Sequence, residues 1–413
     1  ADSQEMARAM ARQVVRVAAG QEKADIIFIN TCTVRQHAED RAFSFVGTLK
    51  DWKMRDPNRL LIISGCAAER TKDELRRRFP YVDLVMGAKS IEKFPEIIAE
   101  ALKEKFSWAK ENEGMWEKEE KTNRAASAFV TTMRGCNYTC AYCIVPFVRG
   151  REVYRPLDTI LEEVRERLIE GAKEIVLLGQ TVNSYHHANG QSCNFADLLK
   201  AVGGIAGVER LRFMSPHPHY IDDKLIEAMA ATPAVCEHIH LPIQSGSNRI
   251  LSLMRRNYTR ELYAGIAQRL RSAIPGISIT TDIIVGFPSE TEAEFEETLN
   301  FIQEISFDGA YCFKFSPRDA TEAANHEGQL PQSLKEERLS RLLALTDNLG
   351  RAKAKSQIGR KVKVLWETHG EGRTRNNWIV RPLEPAQISP GFTNQVTIEA
   401  VKNRLLLGRL SLE

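Results

Sequence analysis

The sequence predicts an α/β protein in three parts: a small N-terminal α/β sheet domain, a central partial barrel of six βα units, and a small C-terminal β-barrel. Apolar segments alternate with amphipathic ones over residues 1–105 and again over 128–318, which is typical of parallel sheets covered by helices. Short apolar segments separated by Gly, Pro and Asn follow residue 361, as in small β-barrels. The 413 residues suffice for two to three domains of about 150 residues each. We therefore expect domains at 1–105, 128–350 and 351–413, with a connector at 106–127.

Composition excludes several classes of protein. The chain has 43% hydrophobic and 27% charged residues, with no apolar run near the ~20 residues of a membrane span, so we expect a globular protein without a span or signal peptide. Eight cysteines are too few for a disulfide scaffold, which favours a reducing compartment, the cytoplasm. The net charge is only +3, but residues 352–413 hold eleven Lys and Arg against five Glu. This basic segment indicates a part that faces nucleic acid.

The N-terminal domain is predicted from three apolar strands, at 24–30, 60–64 and 82–85, and from amphipathic helices at 35–53, 67–78 and 91–105. Cys32 directly follows the first of these strands, and Cys66 directly follows the second. Open α/β sheets bind ligands at the carboxyl ends of their strands. The two thiols are therefore expected to converge on one site.

The central barrel is predicted from six strands, at 129–133, 174–178, 210–214, 238–241, 278–284 and 309–313. Candidate helices lie at 157–170, 194–202, 222–230, 260–273, 290–304 and 333–357. In a barrel of parallel strands the chemistry takes place on the loops that follow the strands. Residues just after each strand are therefore the candidates for function.

Three cysteines follow the first barrel strand with the spacing C-x3-C-x2-C: Cys136, Cys140 and Cys143. Three thiolates within eight residues can hold three corners of a 4Fe–4S cube and leave the fourth iron open for chemistry, whereas clusters with four cysteines transfer electrons. The alternatives are three unrelated cysteines or a zinc loop. Zinc sites favour paired C-x2-C units, which argues for the iron–sulfur interpretation.

This spacing, with Tyr142 before the last cysteine, resembles that of the radical S-adenosylmethionine (SAM) superfamily. The resemblance implies that SAM chelates the open iron and that one electron cleaves it to a 5′-deoxyadenosyl radical. It also implies SAM contacts from groups on or after successive strands, which in this chain are Gly179, Gln180, Gln244, Ser245 and Asp282. Taken alone, each of these residues also fits a turn or a satisfied polar group in the core.

Several segments together resemble a narrower family, the methylthiotransferases. They are residues 30–35, 64–68, 82–87, 134–136, 145–152 and 315–318. The stretch 149–152 followed by Arg155-Pro156 is most similar to the tRNA-modifying members, which convert N6-isopentenyladenosine beside the anticodon into its 2-methylthio derivative. Relatives that act on a ribosomal-protein aspartate or on threonylcarbamoyl-adenosine in tRNA share the architecture, so these substrates are the alternatives.

The family resemblance implies a second, auxiliary 4Fe–4S cluster held by three cysteines of the N-terminal domain. Cys32 and Cys66 match two of them. The third belongs to a Gly-Cys-Gln-Met-Asn element expected just upstream of Asp2-Ser3, hence before Ala1; the alternative is a site with two cysteines and another ligand. A second departure is Asp319-Ala320, where the family has Pro-Gly.

The mechanism implied by the family uses two molecules of SAM. One methylates a sulfur bound at the auxiliary cluster, and the other yields the radical that removes hydrogen from carbon 2 of the adenine. That C–H bond has no acidic proton for a general base, which is why radical chemistry is required. The implied partners are tRNA, a reductant protein such as flavodoxin or ferredoxin, and a sulfur donor.

The C-terminal segment resembles a TRAM domain, a small β-barrel associated with RNA binding. Arg373 and Arg375 are expected to hold phosphates, and Trp378 offers a stacking face for an unpaired base unless it packs in the barrel core. Near the cysteine loop, Arg149 and Arg151 either contact RNA or pair with Glu152.

Two further classes remain open from the sequence. The pairs His217/His219 and His238/His240 place imidazoles near strand ends with the i, i+2 spacing that can bind zinc, as in a metal-dependent barrel hydrolase. A non-catalytic RNA-binding or electron-transfer protein is the other alternative, which the open-iron spacing argues against. Iron content and SAM cleavage distinguish these classes.

Overall fold

The computed structural model describes residues 2–11, 15, 17–33, 36–106, 125–189 and 191–411. These described residues form two compact units: one lies within the ranges 1–121, 135–137 and 144–151, and the other within 122–134, 138–143 and 152–413. The predicted connector at 106–127 lies mostly outside the described residues. Within the described part of the chain, no helix is both long and apolar enough to cross a bilayer.

The first unit contains a parallel three-stranded sheet, β1 (Ile26–Thr31), β2 (Leu60–Gly65) and β3 (Leu84–Gly87), in that order. Strand β2 is central and buried at every position, as its unbroken apolar sequence predicts. The helices of this unit are α1 (Asp2–Ala11), α2 (Gln36–Thr48), α3 (Lys50–Met54), α4 (Cys66–Arg70), α5 (Lys72–Arg78), α6 (Phe94–Lys105) and α7 (Val145–Arg149). The small α/β sheet domain is confirmed.

The second unit contains the six predicted barrel strands in two parallel sheets. They are β4 (Ser127–Thr131), β7 (Glu174–Leu178) and β10 (Arg210–Phe213) in one sheet, and β11 (His238–His240), β12 (Ser278–Val285) and β13 (Gly309–Lys314) in the other. A parallel bridge between Leu211 and Val235 connects the two sheets. Strands β4 and β13 are the two edges of this partial barrel.

Alternate residues of the barrel strands face opposite sides. One side is apolar and packs against the surrounding helices through residues such as Ile175, Leu211, Ile239, Ile279 and Ile283. These helices are α8 (Leu157–Ile169), α9 (Phe195–Gly203), α10 (Asp223–Ala231), α11 (Asn248–Leu253), α12 (Arg260–Ala273), α13 (Glu292–Ile305) and α14 (Gln332–Lys355). The other side, here called the lumen face, lines the barrel interior.

Two short antiparallel pairs are additional to the predicted strands. Strand β5 (Met133–Arg134) pairs with β6 (Val153–Tyr154), and β8 (His186–Asn189) pairs with β9 (Gln191–Asn194). The first pair brackets the chain segment that carries the three clustered cysteines.

The C-terminal module is a closed five-stranded barrel, as predicted. Its strands are β14 (Lys361–Trp366), β15 (Gly372–Thr374), β16 (Ile379–Pro382), β17 (Thr393–Lys402) and β18 (Leu405–Leu410), in the order β14-β15-β16-β18-β17. Alternate residues of these strands fill its core, among them Val364, Trp366, Val380, Val396 and Ile398.

Candidate functional site

The three clustered cysteines follow β5 in one continuous loop. All eight cysteines of the chain are described, and none forms a disulfide. Gly135 opens the loop with a φ of +78°, and a Cβ there would lie 2.0 Å from the carbonyl oxygen of Arg151, so only glycine fits. The Cys136 N–H donates to the carbonyl of Gly150, and the Cys143 N–H donates to the carbonyl of Cys140. Main-chain hydrogen bonds and Gly135 thus fix the course of the loop that carries the three cysteines.

Arg256 supports the loop at Cys140, and both residues belong to the second unit. Its Nη1 lies 3.2 Å from Cys140 Sγ, and its Nε donates to the hydroxyl of Tyr258 at 2.8 Å. The guanidinium therefore holds the loop at Cys140 and ties it to Tyr258. Sequence analysis missed Arg256 because 116 residues separate it from Cys140.

The loop residue Tyr138 stacks on His217, with ring centroids 4.1 Å apart and planes 13° apart. Asn183 fixes His217 by two hydrogen bonds with its main chain, at 2.7 and 2.9 Å. Burial, helped by Arg256 and His219, lowers the pKa of His217 to about 2, so the ring is neutral. Its Nδ1 accepts from the His219 N–H, which places the proton on Nε2. That buried Nε2 has no partner in the described structure.

The histidines of both pairs contact other residues of the protein. His238 and His240 both contact the Thr280 hydroxyl, at 3.2 and 3.0 Å. In the part of the chain that is described, no three His, Cys, Asp or Glu side chains are placed to hold a single metal ion.

Two of the predicted SAM contacts, Gly179 and Gln180, lie just after β7. Gln180 Oε1 is buried and lacks a hydrogen-bond partner among the residues described. A Cβ on Gly179 would lie 2.6 Å from Met133 Cγ, so a larger residue there would force the Met133 side chain to move. An unpaired buried acceptor fits the ammonium group of SAM, and three thiols in one loop fit a 4Fe–4S cluster with one open iron.

The other predicted SAM contacts have protein partners. Gln244 has a φ of +74°, and its N–H donates to the carbonyl of Asp282. Ser245 is fully buried, and its hydroxyl contacts that of Thr298 at 3.4 Å. The Asp282 carboxylate contacts His240 Nε2 at 3.3 Å. Ser245 thus has the surroundings of a satisfied polar group in the core, which was the alternative at this position.

In the first unit, Cys32 and Cys66 follow the ends of β1 and β2, as predicted. Cys32 is exposed, and Cys66 is buried at the start of α4. Gly65 precedes it with a φ of +103°, and a Cβ there would lie 2.2 Å from the carbonyl oxygen of Thr31. Burial raises the pKa of the Cys66 thiol, and the neighbouring Arg149, which donates a hydrogen bond to it, opposes this rise.

Arg149 has a different set of partners from the predicted ones. Besides the hydrogen bond to Cys66, it forms an ion pair with Asp2 at 2.6 Å, and only 19% of its side chain is exposed. Of the two expected partners, Glu152 is therefore not the one that Arg149 pairs with, and the side chain lies beside Cys66. Arg151 is exposed.

The three predicted RNA contacts of the C-terminal barrel also have protein partners. Arg373 pairs with Glu367 at 2.9 Å, and Arg375 forms a two-point ion pair with Glu237 at 2.8 Å. Trp378 is only 8% exposed, because its ring packs in the barrel core. The packed alternative for Trp378 is the one observed, and this surface of the module docks on the central barrel rather than facing solvent.

The docking surface includes several more hydrogen bonds. Arg212 donates to the carbonyls of Thr374 and Arg375, and also pairs with Glu174 at 2.7 Å. Asn376 donates to the carbonyl of Gly276, just before β12. The turn that follows β15 therefore covers the end of the central barrel at which its strands begin, here called the floor.

Comparisons with known proteins match both the N-terminal and the central part of the chain to families. Residues 130–302 match the Radical SAM superfamily, and residues 1–87 match Uncharacterized protein family UPF0004. The tRNA-2-methylthio-N(6)-dimethylallyladenosine synthase of Moorella thermoacetica is 41% identical over 392 residues, which cover 92% of this chain and 88% of that protein. The synthase of the same name from Caldicellulosiruptor saccharolyticus is 40% identical, over 93% of this chain and 84% of that protein.

Among solved structures, the radical S-adenosylmethionine methyltransferase TsrM from Kitasatospora setae has a similar fold. The TM-score is 0.56 at 12% sequence identity, and the match covers 77% of this chain and 68% of that chain. At this identity the likeness concerns the fold alone.

Proposed function

The chain belongs to the family of radical SAM methylthiotransferases, and we propose that it attaches a methylthio group to carbon 2 of N6-isopentenyladenosine next to the anticodon of tRNA. Identity of 41% to a synthase of this product over 92% of the chain carries the proposal. The central domain supplies the loop with three cysteines, and the N-terminal domain supplies two more thiols at neighbouring strand ends.

Cys136, Cys140 and Cys143 are the proposed ligands of the radical SAM cluster. When bound, the cluster and SAM supply a 5′-deoxyadenosyl radical that can remove hydrogen from an unactivated carbon. The chain itself contributes Arg256, which donates to Cys140, and Gln180, whose unpaired buried oxygen is the proposed acceptor for the SAM ammonium group.

Cys32 and Cys66 are the proposed ligands of an auxiliary cluster that carries the sulfur. Arg149 stabilises the thiolate of Cys66 by a hydrogen bond, and Asp2 holds the guanidinium in place.

The RNA-binding surface is proposed to be the part of the C-terminal barrel that does not dock on the central domain. Lys361, at the start of β14, is exposed. No ion pair to Lys361 occurs among the residues that the structure describes. We also propose that a reductant of the flavodoxin or ferredoxin class and a sulfur donor act with the enzyme.

The test is anaerobic reconstitution, with iron and sulfide counted, followed by reaction with tRNA that carries N6-isopentenyladenosine. Mass spectrometry of the nucleosides should show the 2-methylthio derivative, a gain of one CH2S unit. tRNA without the isopentenyl group and the Cys136→Ala variant are the controls. A methylthio product found only on threonylcarbamoyl-adenosine or on a ribosomal-protein aspartate would overturn the proposed substrate.

A further inference from the structure

Three side chains share one stretch of the lumen face of the central barrel: His240, Asp282 and Tyr311. The register of the strands places them there, since Asp282 on β12 lies beside Tyr311 on β13, and His240 on β11 lies beside Thr280. The intervening residues, Ile279, Thr281 and Ile283, are buried against the helices. These three side chains therefore face the barrel interior, below the strand ends that carry the cysteine loop and Gln180.

A chain of polar contacts holds the Asp282 carboxylate from one side. Oδ1 lies 3.3 Å from His240 Nε2, which can donate to it in the tautomer that carries the proton on Nε2. His240 Nδ1 contacts the Thr280 hydroxyl, which also contacts His238, and His238 contacts Asn377 of the C-terminal barrel at 3.3 Å. One oxygen of Asp282 is thus fixed, and the other has no protein donor in the described structure.

The Asp282 carboxylate is more exposed than the His240 side chain that contacts it. The side chain of Asp282 is 29% exposed, whereas that of His240 is only 9% exposed. Tyr311 is 57% exposed although it lies on the lumen face, and its ring meets the edge of His240 with centroids 5.5 Å apart. On the opposite edge strand, Phe129 also faces the lumen and is 37% exposed. The interior therefore offers aromatic faces beside one available carboxylate oxygen.

We propose that Tyr311 and Asp282 form the subsite for the target base, with the base stacked on the Tyr311 ring and its exocyclic N–H donating to the available oxygen of Asp282. A base modified at a ring carbon must leave its stack, and an extruded base is held by aromatic stacking and by hydrogen bonds to its polar edge. The inference rests on the proposed function and deepens it by naming the residues that recognise the base.

Because only one oxygen of Asp282 is available, the subsite should prefer an adenine alkylated at N6 over guanine. An adenine alkylated at N6 offers one exocyclic N–H, which matches one acceptor. Guanine offers two adjacent donors on its Watson–Crick edge and would need both carboxylate oxygens, one of which His240 occupies. Asp282 is thereby assigned to the base rather than to SAM, the role expected from the superfamily resemblance.

The experiment measures binding of an anticodon stem–loop RNA containing N6-isopentenyladenosine to the reconstituted enzyme, by anaerobic fluorescence anisotropy. Tyr311→Ala should raise the Kd about tenfold or more, and Tyr311→Phe should raise it less than about threefold because the stacking ring remains. Asp282→Asn should raise it about tenfold, since the amide presents N–H groups to the base where an acceptor is needed. Cys312→Ala is the matched control, on the same strand but the opposite face, beside Thr346.

Binding of SAM is measured for the same variants by equilibrium dialysis. A Kd for the stem–loop that is unchanged in both Tyr311→Ala and Asp282→Asn would overturn the subsite. So would an Asp282→Asn variant that loses SAM affinity while it binds the stem–loop as the wild type does. Failure of the proposed function is a separate result: the wild-type enzyme would then form no 2-methylthio-N6-isopentenyladenosine, whatever the variants do.

Discussion

The guanidinium of Arg149 lies 2.6 Å from the carboxylate of Asp2. Both side chains are mostly buried, with 19% and 14% exposed, and Arg149 also donates to the thiol of Cys66. The pair therefore joins the first helix to the second predicted thiol of the auxiliary site. Loss of one partner would leave a poorly solvated charge beside that thiol.

We expect Arg149→Met to loosen helix α1 and to weaken retention of the auxiliary cluster. Breaking a buried ion pair costs about 3 kcal/mol, at the low end here because the pair is partly exposed, and this corresponds to roughly hundredfold faster amide exchange in α1. Hydrogen exchange of the metal-free protein measures the first effect, and iron content after reconstitution measures the second. Arg151→Met, two residues away and exposed, is the control. Equal exchange in both variants would show that the Asp2 contact does not stabilise α1.

Cys136→Ala and Cys32→Ala should separate the two halves of the reaction. Without Cys136 the cluster that cleaves SAM loses a ligand, so 5′-deoxyadenosine formation should stop. Without Cys32 the cleavage of SAM should persist while sulfur insertion stops. Chromatography of 5′-deoxyadenosine and of tRNA nucleosides measures both. Cys193→Ala serves as the control for a cysteine outside both sets, and a wild-type yield of methylthio product from Cys32→Ala would refute the auxiliary role.

Gln180→Leu should weaken the binding of SAM by about tenfold or more, because a hydrogen bond to a charged group is lost while the side-chain volume is nearly kept. Equilibrium binding of SAM to the reconstituted protein measures this, with iron content expected to match the wild type. Gln268→Leu, on the exposed side of α12, provides the comparison. SAM affinity that is equal in the two variants would exclude Gln180 from the cofactor site.

The basic residues of the C-terminal barrel should fall into two groups: those that contact RNA phosphates and those that are paired within the protein. Lys361→Ala should reduce the slope of log K against log salt for tRNA binding by about 1, as expected for a lost phosphate contact. Arg375→Ala should leave this slope unchanged, because its guanidinium is paired with Glu237. Titrations at several salt concentrations measure both. A smaller slope for Arg375→Ala than for Lys361→Ala would return Arg375 to the RNA-binding surface.

The fold followed from the sequence where local pattern decides it. All six barrel strands, the buried strand β2 and the positions of Cys32 and Cys66 after strands depend on apolar runs that the sequence displays directly. The hairpin of β8 and β9 was missed because its residues are polar and do not alternate with apolar ones. Its register depends on neighbours in the fold rather than on an amphipathic pattern.

Residue roles were harder to predict where charge pairing across the chain decides them. Arg149 meets a partner 147 residues away, and Arg375 meets one 138 residues away. Composition counts positive charges but does not show which of them are paired, so both resembled RNA contacts. The subsite of Asp282 and Tyr311 was missed for a similar reason: β12 and β13 bring them side by side only once the sheet has formed.

The length of the barrel strands separates the C-terminal module at the floor of the central barrel from the cysteine loop at the opposite end. The C-terminal module is anchored at Glu237 and Gly276, just before β11 and β12, while the cysteine loop and Gln180 follow the other ends of the barrel strands. Strand β12 alone has eight residues and spans about 26 Å at ~3.3 Å per residue. With the proposed RNA-binding surface on this module, a folded stem–loop can reach both the module and the strand ends that carry the cysteine loop. A free nucleoside or a dinucleotide is too short to do so and should be a poor substrate.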